Sequence, residues 1–201
     1  KKILSLKNLF ELFSNEVSCE VFLNIFPQFK FYKRLKAINE LSQKLRKRYD
    51  VDLILGLLIL ENSNEYEYFC HKYKTSNYIQ DRFRNISINF EDLKNKKFYT
   101  EGNIKRLIYL SNKKYVIDLL LFSITLNKKN KIPNIESLID YADNCEIPKF
   151  PISGDYLKEH GYETGLILGK KLKSLEEEWI KNNFVIDKKI IEKSLNKNSK
   201  N

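Results

Sequence analysis

Apolar residues recur at intervals of three and four along almost the whole chain, whereas strict alternation over more than four residues is hard to find. This spacing places apolar side chains on one face of a helix and therefore predicts an all-α fold. We expect an irregular multi-helix bundle followed by a small C-terminal helical module. The predicted helices cover approximately residues 5–13, 15–25, 29–49, 51–60, 63–73, 103–110, 115–126, 134–145, 155–160 and 165–181, with another that begins at residue 76.

The same pattern contains a predicted helix end and a predicted core helix. Pro27 follows the second predicted helix and is expected to end it, because the residue before a proline avoids the helical conformation. The segment 51–60 is apolar on all sides, which is typical of a helix at the centre of a bundle.

The polar stretch 127–133 is the best candidate for a domain boundary, and a second break covers residues 148–154. We therefore predict a helical domain over residues 1–132 and a helical tail module over residues 133–201. The end of the chain, from residue 196 to residue 201, is polar and is expected to fray.

The composition indicates which classes of protein and which cellular compartments fit this chain. The 201 residues include 36 lysines and arginines against 26 acidic residues, a formal charge of +10, and no methionine, so we expect a piece of a longer chain. Three cysteines lie far apart in an odd number, which favours free thiols in the cytoplasm or an organelle matrix. No apolar run approaches the roughly 18 residues of a membrane span, so no membrane association is expected.

Few residues suggest catalysis or metal binding. Asp50 and Asp52 form a D-x-D pair, which can bind magnesium when a strand points both carboxylates the same way. At a helix start, residues two apart diverge by about 200°, so we predict instead that Asp50 caps the helix. Cys70 and His71 are adjacent and cannot readily bind one ion. Since the chain also lacks phosphate-loop and nucleophile-elbow motifs, we expect neither an active site nor a metal site in it.

The C-terminal module has the most informative motif. Gly161 is placed to end one short helix, and Gly165 is placed at the start of a longer one. Free backbone amides at such a start, with lysines nearby, suit a phosphate group. Ordinary turn punctuation explains the glycine spacing equally well at this point.

The same module resembles the carboxyl-terminal end of class II CCA-adding tRNA nucleotidyltransferases and their poly(A) polymerase relatives. The resemblance covers residues 150–184 and rests on the segment FPISGD at 150–155, glycines at 161, 165 and 169, the acidic run 176–178 and Trp179. The chain departs from the family at Leu166, where proline is usual, and at Tyr156, where aspartate is usual. Over residues 1–147 the resemblance is weaker and rests on helix order and on Pro27.

The resemblance implies an enzyme with a head, neck, body and tail. The head would bind magnesium and transfer CMP and AMP from CTP and ATP, while body and tail hold the acceptor and TΨC arms of tRNA. Neither the head motifs nor the neck motif E-D-x-x-R is visible, since the nearest match, 91–95, ends in Asn95 instead of arginine. We therefore expect a neck end, body and tail without the N-terminal catalytic head, without a cofactor of its own, and inactive alone.

On this interpretation tRNA or another RNA is the partner, and a +10 chain suits the polyanion backbone. An interaction module that docks on a protein or a ribonucleoprotein without catalysis is the first alternative. A DNA-binding helix-hairpin-helix, which the segment 161–165 imitates, is the second. The residues predicted to contact RNA phosphates are Lys158, Gly161, Thr164, Gly165, Lys170 and Lys171.

Overall fold

The computed structural model describes residues 2–6, 9–62, 64–126, 132 and 134–186. In these residues it contains α-helices and short 3-10 helices and no strand, which confirms the all-α prediction. The α-helices are α1 (Leu9–Ser14), α2 (Glu16–Ile25), α3 (Leu35–Asn39), α4 (Gln43–Arg46), α5 (Val51–Ile59), α6 (Glu65–Lys72), α7 (Asn77–Ile88), α8 (Glu101–Leu110), α9 (Lys113–Leu126), α10 (Ile135–Asn144), α11 (Gly154–Glu159) and α12 (Leu166–Lys181). The 3-10 helices are Ile3–Ser5, Tyr32–Arg34, Asp92–Lys94 and Lys96–Phe98.

The helices form two compact units, Lys1–Cys145 and Glu146–Asn201. Helix α10, which we assigned to the second module, belongs by its contacts to the first unit. It packs against α8 and α9 and buries Leu138, Ile139 and Ala142. Arg48 adds two hydrogen bonds to the Asp143 carboxylate, at 2.6 and 2.9 Å, and so ties α10 to the end of α4. The units therefore divide near the second of the two sequence breaks.

Most predicted helices correspond to observed ones, but the long helix predicted over residues 29–49 is wrong. The chain there forms a 3-10 turn, α3 and α4 as separate pieces. Ser42 begins α4, because its side chain accepts a hydrogen bond from the backbone N–H of Leu45 at 3.4 Å. A serine in this role favours a new helix start over continuation of the preceding helix. The first predicted helix corresponds to α1, Leu9–Ser14, and a separate 3-10 turn covers Ile3–Ser5.

The core of the first unit lies around α5 and α9. Leu57 and Leu58 of α5 have no exposed surface, and neither do Val116, Leu120 and Phe122 of α9. Gly56 allows close packing on α7, since a Cβ atom there would lie 3.2 Å from the Phe83 ring. The apolar segment 51–60 thus occupies the centre of its unit, as its composition predicts. No helix in the described part of the chain is both long and apolar enough to cross a bilayer.

A buried ion cluster joins α5, α7 and α9. The Arg82 guanidinium is 2% exposed and donates hydrogen bonds of 2.7 and 3.0 Å to the Asp118 carboxylate, which is 1% exposed. It also donates to Asp50 at 3.0 Å, and Lys114 lies 2.9 Å from Asp50 and 3.1 Å from Asp118. Because Asp50 precedes α5, Arg82 lies on α7 and Asp118 on α9, the cluster fixes three helices against one another.

The charges of this cluster stabilise each other against the cost of burial. Burial opposes the charge of Arg82, but the hydrogen bonds and negative charges of Asp118 and Asp50 outweigh it and raise the pKa of Arg82. Burial would raise the pKa of Asp50, yet hydrogen bonds from the Leu53 amide, Arg82 and Lys114 hold it below its usual value. Arg82 and Asp50 therefore both stay charged at neutral pH.

We predict that Asp118→Asn lowers the free energy of unfolding by about 3 kcal/mol, because it leaves the buried Arg82 charge without its main partner. Urea unfolding followed by circular dichroism measures this change. The matched control is Asp81→Asn, which removes an exposed ion pair to Arg84 of 3.2 Å and should cost about 1 kcal/mol or less. Equal costs for the two variants would contradict a special role for the buried pair.

Candidate nucleic-acid interface

The second unit has its own small core, which holds α11 and α12 together. Ile152, Leu157, Tyr162 and Leu175 are buried in it. Trp179 extends this packing, with its ring 5.2 Å from Phe150 and 4.9 Å from Phe184 between centroids. Both helices are thus supported from the inside, and the turn between them lies on the outside.

Gly161 ends α11 in a Schellman motif. Its N–H donates to Lys158 O at 2.9 Å, and the N–H of Tyr162 donates to Leu157 O at 3.1 Å. The φ angle of Gly161 is 86°, which confirms the left-handed residue expected there. A Cβ atom at Gly161 would have nothing within 4 Å, so the conformation and not the space requires glycine.

Gly165 begins α12 with a φ angle of 147° and a ψ angle of −162°, a combination that is essentially restricted to glycine. No side chain caps this helix start, and its first turn contains no acidic residue. Residues 163–167 are all exposed. The first backbone N–H groups of α12 therefore face an open surface with no local side chain to satisfy them.

Of the six predicted contact residues, Lys158 lies in α11, three lie in the turn that follows it, and Lys170 and Lys171 lie in the second turn of α12. Gly161, Thr164, Gly165 and Lys170 are exposed. Lys158 is exposed as well, but its ammonium lies 2.9 Å from the Asp155 carboxylate on α11. Lys171 is half-buried and already has a partner, so it faces the interior more than we expected. Lys173, two residues after Lys171, is exposed and lies on the outer face of α12.

The charges of α12 are divided along the helix. Its lysines 170, 171 and 173 lie in the first half, its glutamates 176–178 lie in the second half, and Lys181 lies in the last turn. The first turn itself contains no charged side chain, so the uncapped amides there are not paired with a local acid. The surroundings of the turn are mixed, since Glu159 and Glu163 are also exposed.

Two aliphatic residues at the start of α12 were not predicted to be part of the interface. Leu166 is 85% exposed and Ile167 is 72% exposed. Helical periodicity could have indicated this, because Leu168, Leu172 and Leu175 already supply an apolar stripe for the core. The exposed surface at the start of α12 is therefore apolar, with Glu163 before it and Lys170 after it along the chain.

The D-x-D pair does not form a magnesium site. Asp50 caps α5 by accepting a hydrogen bond from Leu53 N at 2.8 Å, as predicted. Arg82 lies 3.8 Å from the Asp52 carboxylate as well as 3.0 Å from Asp50, so both acids face a cation that would repel a metal ion. Across the described residues no group of three potential metal ligands of the His, Cys, Asp or Glu type occurs. Glu91, in the segment nearest to the neck motif, instead bonds Lys94 at 2.7 Å.

Comparison with known proteins does not identify a family for this chain. The chain matches no protein-family model, no curated protein and no solved structure.

We predict that Gly161→Ala destabilises the second unit by about 1 kcal/mol, since alanine is strained at this positive φ angle. Trp179 is the only tryptophan of the chain and is buried in this unit, so its fluorescence during urea unfolding measures the effect. The matched control is Gly169→Ala, within α12 and with open space around it, which should stabilise by about 0.5–1 kcal/mol. Effects of the same sign would contradict the assigned role of Gly161.

Proposed function

We propose that this chain is the tRNA-binding C-terminal region of a CCA-adding tRNA nucleotidyltransferase or a related poly(A) polymerase. In this proposal the second unit binds the sugar-phosphate backbone of the acceptor and TΨC arms. Transfer of CMP and AMP to the RNA 3′ end, with magnesium and ATP or CTP, is assigned to a catalytic head outside this chain.

One observation carries the proposal: Gly161, residues 163–165 and the start of α12 are exposed to solvent, within the segment that resembles the family. The buried face of α12 accounts for Leu175 and Trp179, and the end of α11 accounts for Gly161. Neither accounts for the glycine-restricted conformation of Gly165 and the uncapped amides that follow it. Such amides are donors that a phosphate oxygen can accept from without any base contact.

The charge order of α12 supports the same interpretation. Lys170 and Lys173 are exposed in the half of α12 that follows the uncapped start. In this proposal a bound polyanion faces both these lysines and the free amides, so that the two contributions add. Recognition through shape and backbone is typical of proteins that bind double-stranded RNA.

Catalysis is not assigned to this chain, because its only D-x-D pair is bonded to Arg82 and Lys114. Its proposed contribution is to hold the RNA, which raises the effective concentration of the 3′ end at the head.

We predict that Lys170→Gln with Lys173→Gln weakens binding of a tRNA that lacks its 3′ end. Losing two phosphate contacts should lower the slope of log affinity against log salt by about 0.9 per contact. Fluorescence anisotropy at a series of salt concentrations measures both quantities. The matched control is Lys96→Gln with Lys97→Gln, which removes the same charge from two exposed lysines of the first unit and should change the slope less. An unchanged slope in the α12 variant would contradict the proposed contact.

Duplex DNA as a competitor tests the helix-hairpin-helix alternative. Displacement of tRNA by DNA at equal or lower concentration would favour a DNA-binding module and would reject the assignment to the nucleotidyltransferase family.

Leu166 and Ile167 favour a second candidate function, an interaction module that docks on a protein. Two adjacent aliphatic side chains that are exposed in this way are more typical of a protein interface than of a phosphate contact. The variant Leu166→Ser with Ile167→Ser separates the candidates. The RNA-binding proposal expects this variant to keep most of the salt dependence of tRNA binding, whereas a docking module expects no specific tRNA binding by any variant.

A further inference from the structure

The first unit has an exposed aromatic and cationic surface at the end of α6, which we call the tyrosine–lysine face and define as Tyr68, Lys72 and Tyr73. Tyr68 is 63% exposed and Tyr73 is 36% exposed. The Lys72 ammonium lies 5.9 Å from the centre of the Tyr68 ring and 5.5 Å from that of Tyr73. Large aromatic side chains are usually buried, so two exposed rings beside one lysine require an explanation.

The ring of Tyr73 is held in place by the aromatic side chains behind it. Tyr73 packs on Phe69 at 4.6 Å and on Phe26 at 6.0 Å, so its inner side is buried against the core while its outer side stays open. Tyr68 and Lys72 are four residues apart on α6 and therefore lie on the same side of the helix. A surface of rigid rings loses little conformational entropy when it binds a flat partner.

The charge around this face is positive. Lys72 and Lys74 are exposed, and in the described residues neither forms an ion pair with a carboxylate. Glu65, one turn before Tyr68, is neutralised by Lys30 at 2.7 Å, and Glu67, next to Tyr68, is exposed and accepts a hydrogen bond from the Tyr66 hydroxyl at 3.4 Å. The face therefore offers ring surfaces for stacking and unpaired cations for a negatively charged partner.

We propose that the tyrosine–lysine face binds unpaired nucleotides of RNA, with bases stacked on Tyr68 and Tyr73 and a phosphate beside Lys72. Stacking on aromatic side chains with cations along the backbone is how proteins bind single-stranded nucleic acid without reading its sequence. This contact is separate from the proposed function, because it lies in the other unit and uses base stacking in place of backbone contacts to a duplex.

The test uses the full chain and a short fluorescein-labelled oligoadenylate as probe, with a fully paired RNA duplex as second probe. Tyr68→Leu keeps an apolar side chain but removes the ring, and it should weaken oligoadenylate binding by about fivefold or more. Tyr68→Phe keeps the ring and should bind within about twofold of the original chain, since the stacking surface is unchanged. Neither change should alter binding of the duplex.

Lys72→Gln provides an independent measurement, because it should lower the salt dependence of oligoadenylate binding by about 0.7 in the log–log slope. The matched control is Tyr78→Leu. Tyr78 is 51% exposed, but its ring lies beside Arg82 and not beside Lys72, so this variant removes an exposed tyrosine outside the tyrosine–lysine face. All variants are repeated with Lys170→Gln and Lys173→Gln, so that binding at α12 cannot hide a loss at the tyrosine–lysine face.

Oligoadenylate binding by Tyr68→Leu at the original affinity would overturn the inference and would favour a protein as the partner of this face. An equal loss for Tyr68→Phe and Tyr68→Leu would also overturn it, because the hydroxyl and not the ring would then be responsible. The proposed function is unaffected by either result, since it is measured on tRNA with the α12 variants.

Discussion

The first unit depends on one buried charge, the guanidinium of Arg82. An arginine that is almost fully removed from water is tolerable only when carboxylates replace the lost hydration, and Asp118 and Asp50 do so. Because these partners belong to different helices, the requirement to pair the charge also sets how α5, α7 and α9 meet. Leucine side chains in the same core could be repacked at small cost in free energy. The hydrogen bonds of Arg82, in contrast, form only when the three helices have one particular arrangement. The interaction therefore acts on specificity of packing as well as on stability.

Much of the fold follows from local pattern. The helix spacing, the cap at Asp50 and the left-handed glycine at residue 161 all depend on residues close in sequence, so they could be predicted. The helix break at Ser42 was not predicted, because a serine within an apolar helical pattern is usually a surface residue of a continuous helix. Only the structure shows that its side chain accepts a hydrogen bond from a backbone N–H and so begins a new helix. The signal for the ion cluster was present, since Asp118 interrupts an otherwise apolar run in α9. The partner of Asp118, Arg82 on α7, could not be identified from the sequence, because their contact depends on the packing of helices that are far apart along the chain.

The candidate interface was predictable to the extent that it depends on backbone conformation. Gly161, Gly165 and Lys170 lie on the exposed turn and helix face as expected, whereas Lys171 points partly inward because α12 must bury Leu172 and Leu175 beside it. The exposure of Leu166 could have been inferred from the apolar stripe of α12, whereas the exposure of Tyr68 depends on tertiary packing and could not. Each unit thus offers one surface of distinct chemistry: free amides with lysines in the second, and aromatic rings with a lysine in the first.

The arrangement of charge in α12 also has an effect before any contact is made. Lysines near the beginning and glutamates near the end add to the dipole of the peptide groups, so the helix as a whole is electrically more polar than its backbone alone. If the second unit binds RNA as proposed, this polarity would turn its glycine-bearing end towards the negative surface before contact. Fewer collisions would then occur in the wrong orientation, and association would become faster without any increase in the number of contacts in the complex.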